Sequence, residues 1–328
     1  MNASFRKRLL DWYGGVRRDL PWRRTSDPYR VWISEIMLQQ TRVAAVIPYY
    51  EKFLARFPSI QSLAEGHEPD LLAHWAGLGY YTRARNLQKA AKQMLNGMFP
   101  STYDEIRALA GIGDYTAAAV ASISFNLPYA VVDGNVLRVI ARLSNDPSNI
   151  AAPATRKRIA ERAQQMLDTR HPGDYNQAIM ELGATVCTPR NPQCGACPLS
   201  RWCEARVAGT QTSLPVKLRV HKQEQLELQL LLIQNRAGRV LLKPSTRVAG
   251  FWDLPEAADL PHAIVGETEA KFSHQITFRR YRCLLSRATL SPIPSSFRWA
   301  AEGLPLSTIA TKALQKLRYP LPKTEISE

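Results

Sequence analysis

No stretch of this 328-residue chain approaches the roughly 18 consecutive apolar residues of a membrane-crossing helix. That excludes a helical membrane protein. Behind Arg6, Lys7 and Arg8 there is no apolar run, so the start does not read as a secretory signal, and an intracellular protein is expected. No internal repeat or low-complexity tract is visible, which speaks against a solenoid. Acidic residues are scarce: 28 against 43 Lys and Arg, a formal net charge of +15. Such a field draws polyanions and weakens with salt; it equally suits a solvated surface. Basic residues recur at Arg17 and Arg18, Arg23 and Arg24, Arg83 and Arg85, Arg156 to Arg158, and Arg279 and Arg280. Cysteine is nearly absent outside one cluster. Of five, four lie between Cys187 and Cys203, and Cys283 stands alone. Crowding of this kind points to metal rather than to disulfides.

Strand-like alternation is also scarce in the first 210 residues. Val31 to Thr41, Thr82 to Asn96, Tyr115 to Phe125, Gly134 to Ser144 and Pro153 to Asp168 suit helices separated by turns. Residues 211–225 are polar and basic and read as a linker. Beyond it, Gln225 to Gln234, Arg239 to Lys243 and Thr277 to Leu285 read as strands, and Ser307 to Leu317 as a closing helix. The expected organisation is a helical part, 1–210, and a smaller α+β part, 226–328.

The cysteine spacing is Cys187-x6-Cys194-x2-Cys197-x5-Cys203. Four thiolates in one short loop can converge on one centre, and structural zinc and an iron–sulfur cluster both suit them. Leu109 to Ala117 holds a Gly-x-Gly turn, Gly111 and Gly113, between helical stretches. Glycines permit a tight turn and open backbone N–H groups to phosphate; a plain helix–helix turn has the same look. Two carboxylates stand out. Glu35 lies in the apolar run Val31 to Leu38 with no nearby cation. Burial would keep it protonated for general-acid work, while an exposed helix face would leave it ordinary. Asp133, in Val131 to Val136, reads as the N-cap of the next helix, a role that does not exclude catalysis at a pocket wall.

Taken together and in order, several stretches resemble the helix-hairpin-helix DNA glycosylase superfamily and, within it, the MutY type of adenine glycosylase. They are Val31-Trp32-Ile33-Ser34-Glu35-Ile36-Met37-Leu38-Gln39-Gln40-Thr41, Gly77-Leu78-Gly79-Tyr80-Tyr81, the Gly111 to Thr116 hairpin, Val132-Asp133-Gly134-Asn135-Val136 and the cysteine loop. The likeness covers nearly all of residues 5–205. It implies a mainly α fold, a helix-hairpin-helix glycosylase with a [4Fe–4S] cluster loop, followed by a smaller α+β, Nudix-like domain. It also implies that Cys187, Cys194, Cys197 and Cys203 hold the [4Fe–4S] cluster. The implied reaction is removal of adenine mispaired with 8-oxoguanine or guanine in double-stranded DNA, the base being flipped into a pocket. Glu35 matches the acid that protonates the leaving adenine. Asp133 matches the carboxylate that stabilises the positive sugar, with Tyr115 and Asn135 in support. Gln40 and Tyr80 match residues that wedge the duplex, Arg23 and Leu38 match pocket residues, and Gly111 and Gly113 form the DNA-binding hairpin.

The related endonuclease III branch carries a lysine nucleophile where this chain has Tyr115, so the resemblance favours a monofunctional enzyme. Ala110 departs from the proline common in such hairpins. In the second part, Arg239 to Lys243 followed by Gly250 to Glu256 resembles the start of a Nudix domain. No glutamate-rich catalytic box follows, which points to recognition rather than hydrolysis. Phe272-Ser273-His274 matches the loop by which the MutY family reads 8-oxoguanine; an ordinary loop with a buried Phe has the same sequence. A bifunctional glycosylase/lyase and a non-catalytic DNA-binding module are the competing readings. Intact Glu35 and Asp133 oppose the second, and Tyr115 opposes the first. The expected partner is duplex DNA, with no membrane and a monomeric chain.

Overall fold

The computed structural model describes residues 3–94, 97–218, 224–276, 278–301 and 304–319. Asn96, Thr277 and residues 219–223 of the expected linker lie outside these. The chain divides into two compact units: residues 1–67 with 82–220, and 68–81 with 221–328.

The first unit is helical: α1 (Ala3–Val16), α2 (Pro28–Leu38), α3 (Val43–Arg56) and α4 (Ile60–Glu65) precede the excursion to the second unit. After it come α6 (Thr82–Gln93), α7 (Tyr103–Ala108), α8 (Asp114–Phe125), α9 (Gly134–Leu143), α10 (Pro153–Met166), α11 (Pro172–Thr185) and α12 (Glu204–Val207). The second unit begins with α5 (Glu68–Trp75). Helix α9 is buried from Val136 to Leu143 and forms the centre of a core with Phe5 and Leu9 of α1, Ile159 and Met166 of α10, and Ile179 and Leu182 of α11. Cys187, Cys197 and Cys203 pack against that same core. Helices α11 and α9 come together closely because Gly183 has no side chain. A Cβ there would stand 2.6 Å from Cβ of Asn135. Gly111 makes the hairpin between α7 and α8 at φ +75, and a Cβ there would stand 2.6 Å from Cβ of Asn86.

Helix α2 starts three residues before the expected Val31 and stops at Leu38. Asp27 caps it, accepting a 3.0 Å hydrogen bond from Tyr29 N, and Pro28 opens the first turn, a start signal that outweighs the apolar periodicity. Gln40, expected within the helix, instead adopts a left-handed φ of 59, which a residue with a side chain seldom takes. The stretch expected as a linker is held to the first unit as far as residue 218. Leu214 is buried, Ile150 N donates to Val216 O at 2.9 Å, and Leu218 N donates to Asn149 Oδ1 at 3.1 Å.

In the second unit, β1 (Glu224–Leu232), β2 (Leu241–Pro244), β3 (Trp252–Asp253), β4 (Ile264–Ile276), β5 (Arg279–Thr289) and β6 (Arg298–Trp299) form two three-stranded sheets, ordered β1-β5-β4 and β3-β2-β6. Strand β1 runs parallel to β5, and β4 antiparallel to it. Helix α13 (Thr308–Lys316) is capped by Ser307, and its Ile309, Ala313 and Leu314 join Leu230, Cys283 and Leu285 in the core.

One expectation is overturned here. Phe272-Ser273-His274 is not a loop but lies in β4, with Phe272 opposite Cys283, Ser273 opposite Arg282 and His274 opposite Tyr281. Residues 264–276 hide this because their alternation is weak: only Ala270, Phe272, His274 and Ile276 are partly buried, and pairing with β5 supplies the strand. Successive strand residues face opposite sides. Ser273 is therefore exposed on one face while His274 turns to the other, where its Nδ1 lies 3.2 Å from Lys312 Nζ. Ser273 and His274 therefore do not share a face of the sheet. Phe272 packs against the core as an anchor.

Candidate active site

One cavity of about 730 Å³ in the first unit gathers Glu35, Tyr115, Asp133, Asn135, Arg23, Leu38 and Gln40. The last turn of α2 brings Glu35, the first turn of α8 brings Tyr115, and the N-terminus of α9 brings Asp133 and Asn135. Gly111 and Gly113 form the α7–α8 turn outside this cavity, and Tyr80, at a left-handed φ of 50, belongs to the second unit.

Glu35 is 6% exposed and makes no ion pair among the described residues. Burial pushes its carboxyl up to about 7; the Tyr115 hydrogen bond opposes that rise, the Asp133 charge adds to it, and the Arg23 charge opposes it. The Tyr115 hydroxyl donates to Oε2 at 2.5 Å. Tyr115 itself is raised well above the usual tyrosine value, first by burial and then by the two carboxylates, so it remains a donor.

Asp133 caps α9, as its sequence context suggested: Oδ1 accepts from Val136 N at 2.7 Å, and Oδ2 accepts from Asn135 Nδ2 at 2.8 Å. Asn135 Oδ1 in turn accepts from Arg138 Nη2 at 2.8 Å. Arg138 also donates to Gly183 O and, through Nε, to Cys187 O, both at 2.7 Å. Hydrogen-bond donation thus runs from Arg138 through Asn135 to the carboxylate and ties it to the start of the cysteine loop. Burial raises Asp133, while the Val136 and Asn135 bonds and the Arg138 charge hold it down.

Sequence reasoning missed Glu181, which is 1% exposed on α11 and lines the same cavity. Arg18 grips both its oxygens at 2.7 Å, and Arg23 Nη2 reaches Oε2 at 2.8 Å. Burial works to raise this carboxyl, but the two guanidinium groups outweigh it and bring it to about 2. One wall therefore holds an ionised carboxylate locked to cations, and another holds a carboxyl near neutrality. Carboxyl groups pushed apart in this way mark acid–base assignments. The clue was available, since Ala178-Ile179-Met180-Glu181-Leu182 is an apolar run like the one around Glu35.

Cys187, Cys194, Cys197 and Cys203 line a separate, largely apolar cavity beside Val139, Arg142 and Leu199. All four cysteines line this one cavity, and the charges of Cys187, Cys203 and Cys194 act on Cys197, a grouping whose donors suit a metal cluster. Burial pushes the Cys197 thiol up to about 11 and also raises Cys203, so ionisation of these ligands needs the positive charge of a metal.

Comparison with known proteins agrees with this geometry. Residues 33–165 match the HhH-GPD superfamily base excision DNA repair proteins, and residues 187–203 match the iron–sulfur binding domain of endonuclease III. The second span runs from the first clustered cysteine to the last, and the loop is a [4Fe–4S] cluster site. The chain is 44% identical to the Homo sapiens adenine DNA glycosylase over 224 residues, covering 65% of this chain and 41% of that protein. Against the Arabidopsis thaliana adenine DNA glycosylase it is 39% identical over 296 residues, covering 77% of this chain and 47% of that protein. It therefore spans about half the length of the curated relatives it matches. The structure of a thermostable thymine-DNA glycosylase is 30% identical, with a TM-score of 0.57, covering 62% of this chain and 95% of that one. The chain belongs to the HhH-GPD superfamily of base excision DNA repair proteins, with an iron–sulfur loop of the endonuclease III type.

Proposed function

We propose that this chain is a monofunctional adenine DNA glycosylase that removes adenine from duplex DNA where it is mispaired with 8-oxoguanine or guanine. The observation that carries the reading is a cavity in which buried Glu35, hydrogen-bonded by Tyr115, lines the same space as Asp133. A flipped adenine occupies the cavity. Glu35, protonated, donates its proton to the departing base; Tyr115 orients the carboxyl through its 2.5 Å hydrogen bond. The bond from C1′ to the base nitrogen breaks with its electron pair going to the base. The anionic Asp133 faces the resulting positive sugar, held there by Asn135 and the N-terminus of α9; water then adds its oxygen to C1′, and its proton returns to the Glu35 carboxylate. The products are free adenine and an abasic site. Cys187, Cys194, Cys197 and Cys203 would hold the [4Fe–4S] cluster, which would supply a folding constraint on the loop whose first cysteine Arg138 bonds through its carbonyl.

No lysine lines the cavity among the described residues, which supports hydrolysis without an imine to the sugar. The test is a single-turnover assay on duplexes carrying adenine opposite 8-oxoguanine or guanine, with an oxidised pyrimidine as control. Adenine should be released, the strand should stay intact until alkali or heat is applied, and borohydride should trap little covalent adduct. Efficient trapping, or preferred action on the oxidised pyrimidine, would overturn the proposal in favour of a lyase.

Reading of the opposite base belongs, on this proposal, to the second unit and to Ser273 alone of the Ser273–His274 pair. Its hydroxyl can donate to the C8 carbonyl of 8-oxoguanine or accept from its N7–H. One such hydrogen bond is worth roughly 0.5–1.5 kcal/mol. Ser273→Ala should therefore cut the preference for 8-oxoguanine over guanine by roughly 2- to 10-fold. His274→Ala should leave that preference in place and act on the packing against α13. Duplex affinity and single-turnover rate on both mispairs check this; an unchanged preference in Ser273→Ala places the reading elsewhere.

A further inference from the structure

Two guanidinium groups one turn apart on α9 run inward toward the cysteine loop. Arg138 is 8% exposed and Arg142 is 1% exposed. Their i, i+4 spacing puts them on one helix face. Like charges buried side by side are costly unless negative charge lies close by. Arg138 reaches a carboxylate, Asp133, through Asn135. Arg142 has no carboxylate partner among the described residues. Its Nε donates to Leu214 O at 2.9 Å, Nη1 to Thr188 O at 2.7 Å and to Cys187 Sγ at 3.3 Å, and Nη2 to Pro189 O at 3.3 Å. Three of these acceptors are neutral carbonyls, and the fourth is a cysteine sulfur. The same unit treats another inward-facing arginine differently: Arg23 is answered by ionised Glu181.

An iron–sulfur cluster held by four thiolates carries net negative charge, and hydrogen bonds to its sulfurs help set its potential. We infer that Arg142 is the countercharge of the cluster in this protein. Its guanidinium neutralises the cluster from the Cys187 side, while its carbonyl bonds hold residues 188–189 and 214 around the site. Positive charge at that distance favours the electron-richer state, so Arg142 raises the reduction potential and helps retain the cluster. It is a positioning and tuning residue; it touches no substrate. The inference rests on the cluster site and is independent of which base the enzyme removes.

The test compares full-length wild type with Arg142→Gln and Arg142→Lys, each purified with its cluster, by iron content and by protein-film voltammetry. Glutamine removes the charge and keeps one amide donor; lysine keeps the charge and loses the fork. In Arg142→Gln the potential should fall by about 59 mV or more, a tenfold change in the oxidised-to-reduced ratio for one electron taken from the electrode. Arg142→Lys should stay near the wild-type potential and hold about four irons per chain, as the wild type does. A wild-type potential in the loaded fraction of Arg142→Gln overturns the inference. Should Arg142→Gln lose its iron altogether, retention in Arg142→Lys supports the inference, and equal loss in both overturns it, because the carbonyl bonds alone would then explain the residue.

Discussion

Asp133→Asn should lower the single-turnover rate of base release by roughly 10³-fold, the scale of removing a central electrostatic group from a reaction site. The amide is nearly isosteric and is as good an N-cap as the carboxylate, so α9 keeps its first turn. It lacks the negative charge that the positive sugar needs. A second, smaller consequence follows from the polarity of the network. Asn135 Nδ2 donates to Asp133 Oδ2, and Asn135 cannot turn over because its Oδ1 accepts from Arg138. With the amide oxygen capping Val136, the amide NH₂ of the variant would face the NH₂ of Asn135, two donors without an acceptor. A clash of that kind costs about 1–3 kcal/mol. The variant should therefore bind duplex, unfold at slightly lower temperature and scarcely release adenine. Rates within a few-fold of wild type would remove Asp133 from the chemistry.

Glu35→Gln should cost about 10²–10⁴-fold in rate, the usual contribution of a positioned general acid. The pH dependence separates this role from a packing role. With its carboxyl pushed up to about 7, the acid form of Glu35 dominates below that pH and is lost above it. The wild-type single-turnover rate should accordingly fall as pH rises through about 7, and fall again at low pH as Asp133 takes up a proton. The residual rate of Glu35→Gln should lack the upper limb. Stability moves in a related way. The folded state holds a proton that the unfolded chain releases above the ordinary value of 4.5, so the Glu35 contribution is fully present below 4.5 and is lost as pH rises through about 7. At pH 8 Glu35→Gln should thus be more stable than wild type, by up to about 3 kcal/mol, an advantage absent at pH 4. An upper limb unchanged in Glu35→Gln would assign that proton to another group.

The fold class was legible because helical periodicity and turn residues act within a few positions of each other. The cap at Asp133, the hairpin at Gly111 and the four-cysteine spacing are local in the same sense, so their residue types and separations survive translation into structure. Glu35 was legible as a carboxylate in an apolar run, though the same pattern surrounds Glu181. What separates them is whether guanidinium groups pair with them directly. Arg18 and Arg23 arrive at Glu181 from more than 150 residues away in the chain, and only the packing of α1 and the following turn against α11 brings them there. Strand β4 illustrates the limit from the other side. Its weak alternation carries little intrinsic signal, and pairing with β5 decides both that residues 264–276 are extended and that Ser273 and His274 face apart. The burial of Arg142 against Cys187 Sγ is likewise invisible in sequence. The sequence by itself determined which residues could be acid, anion and metal ligand; tertiary structure decided which carboxyl is raised and which lowered, which face of β4 carries Ser273 and which charges meet. Those decisions depend on burial and on distances between segments remote in the chain, and Coulomb energies in a low dielectric follow those distances rather than sequence order.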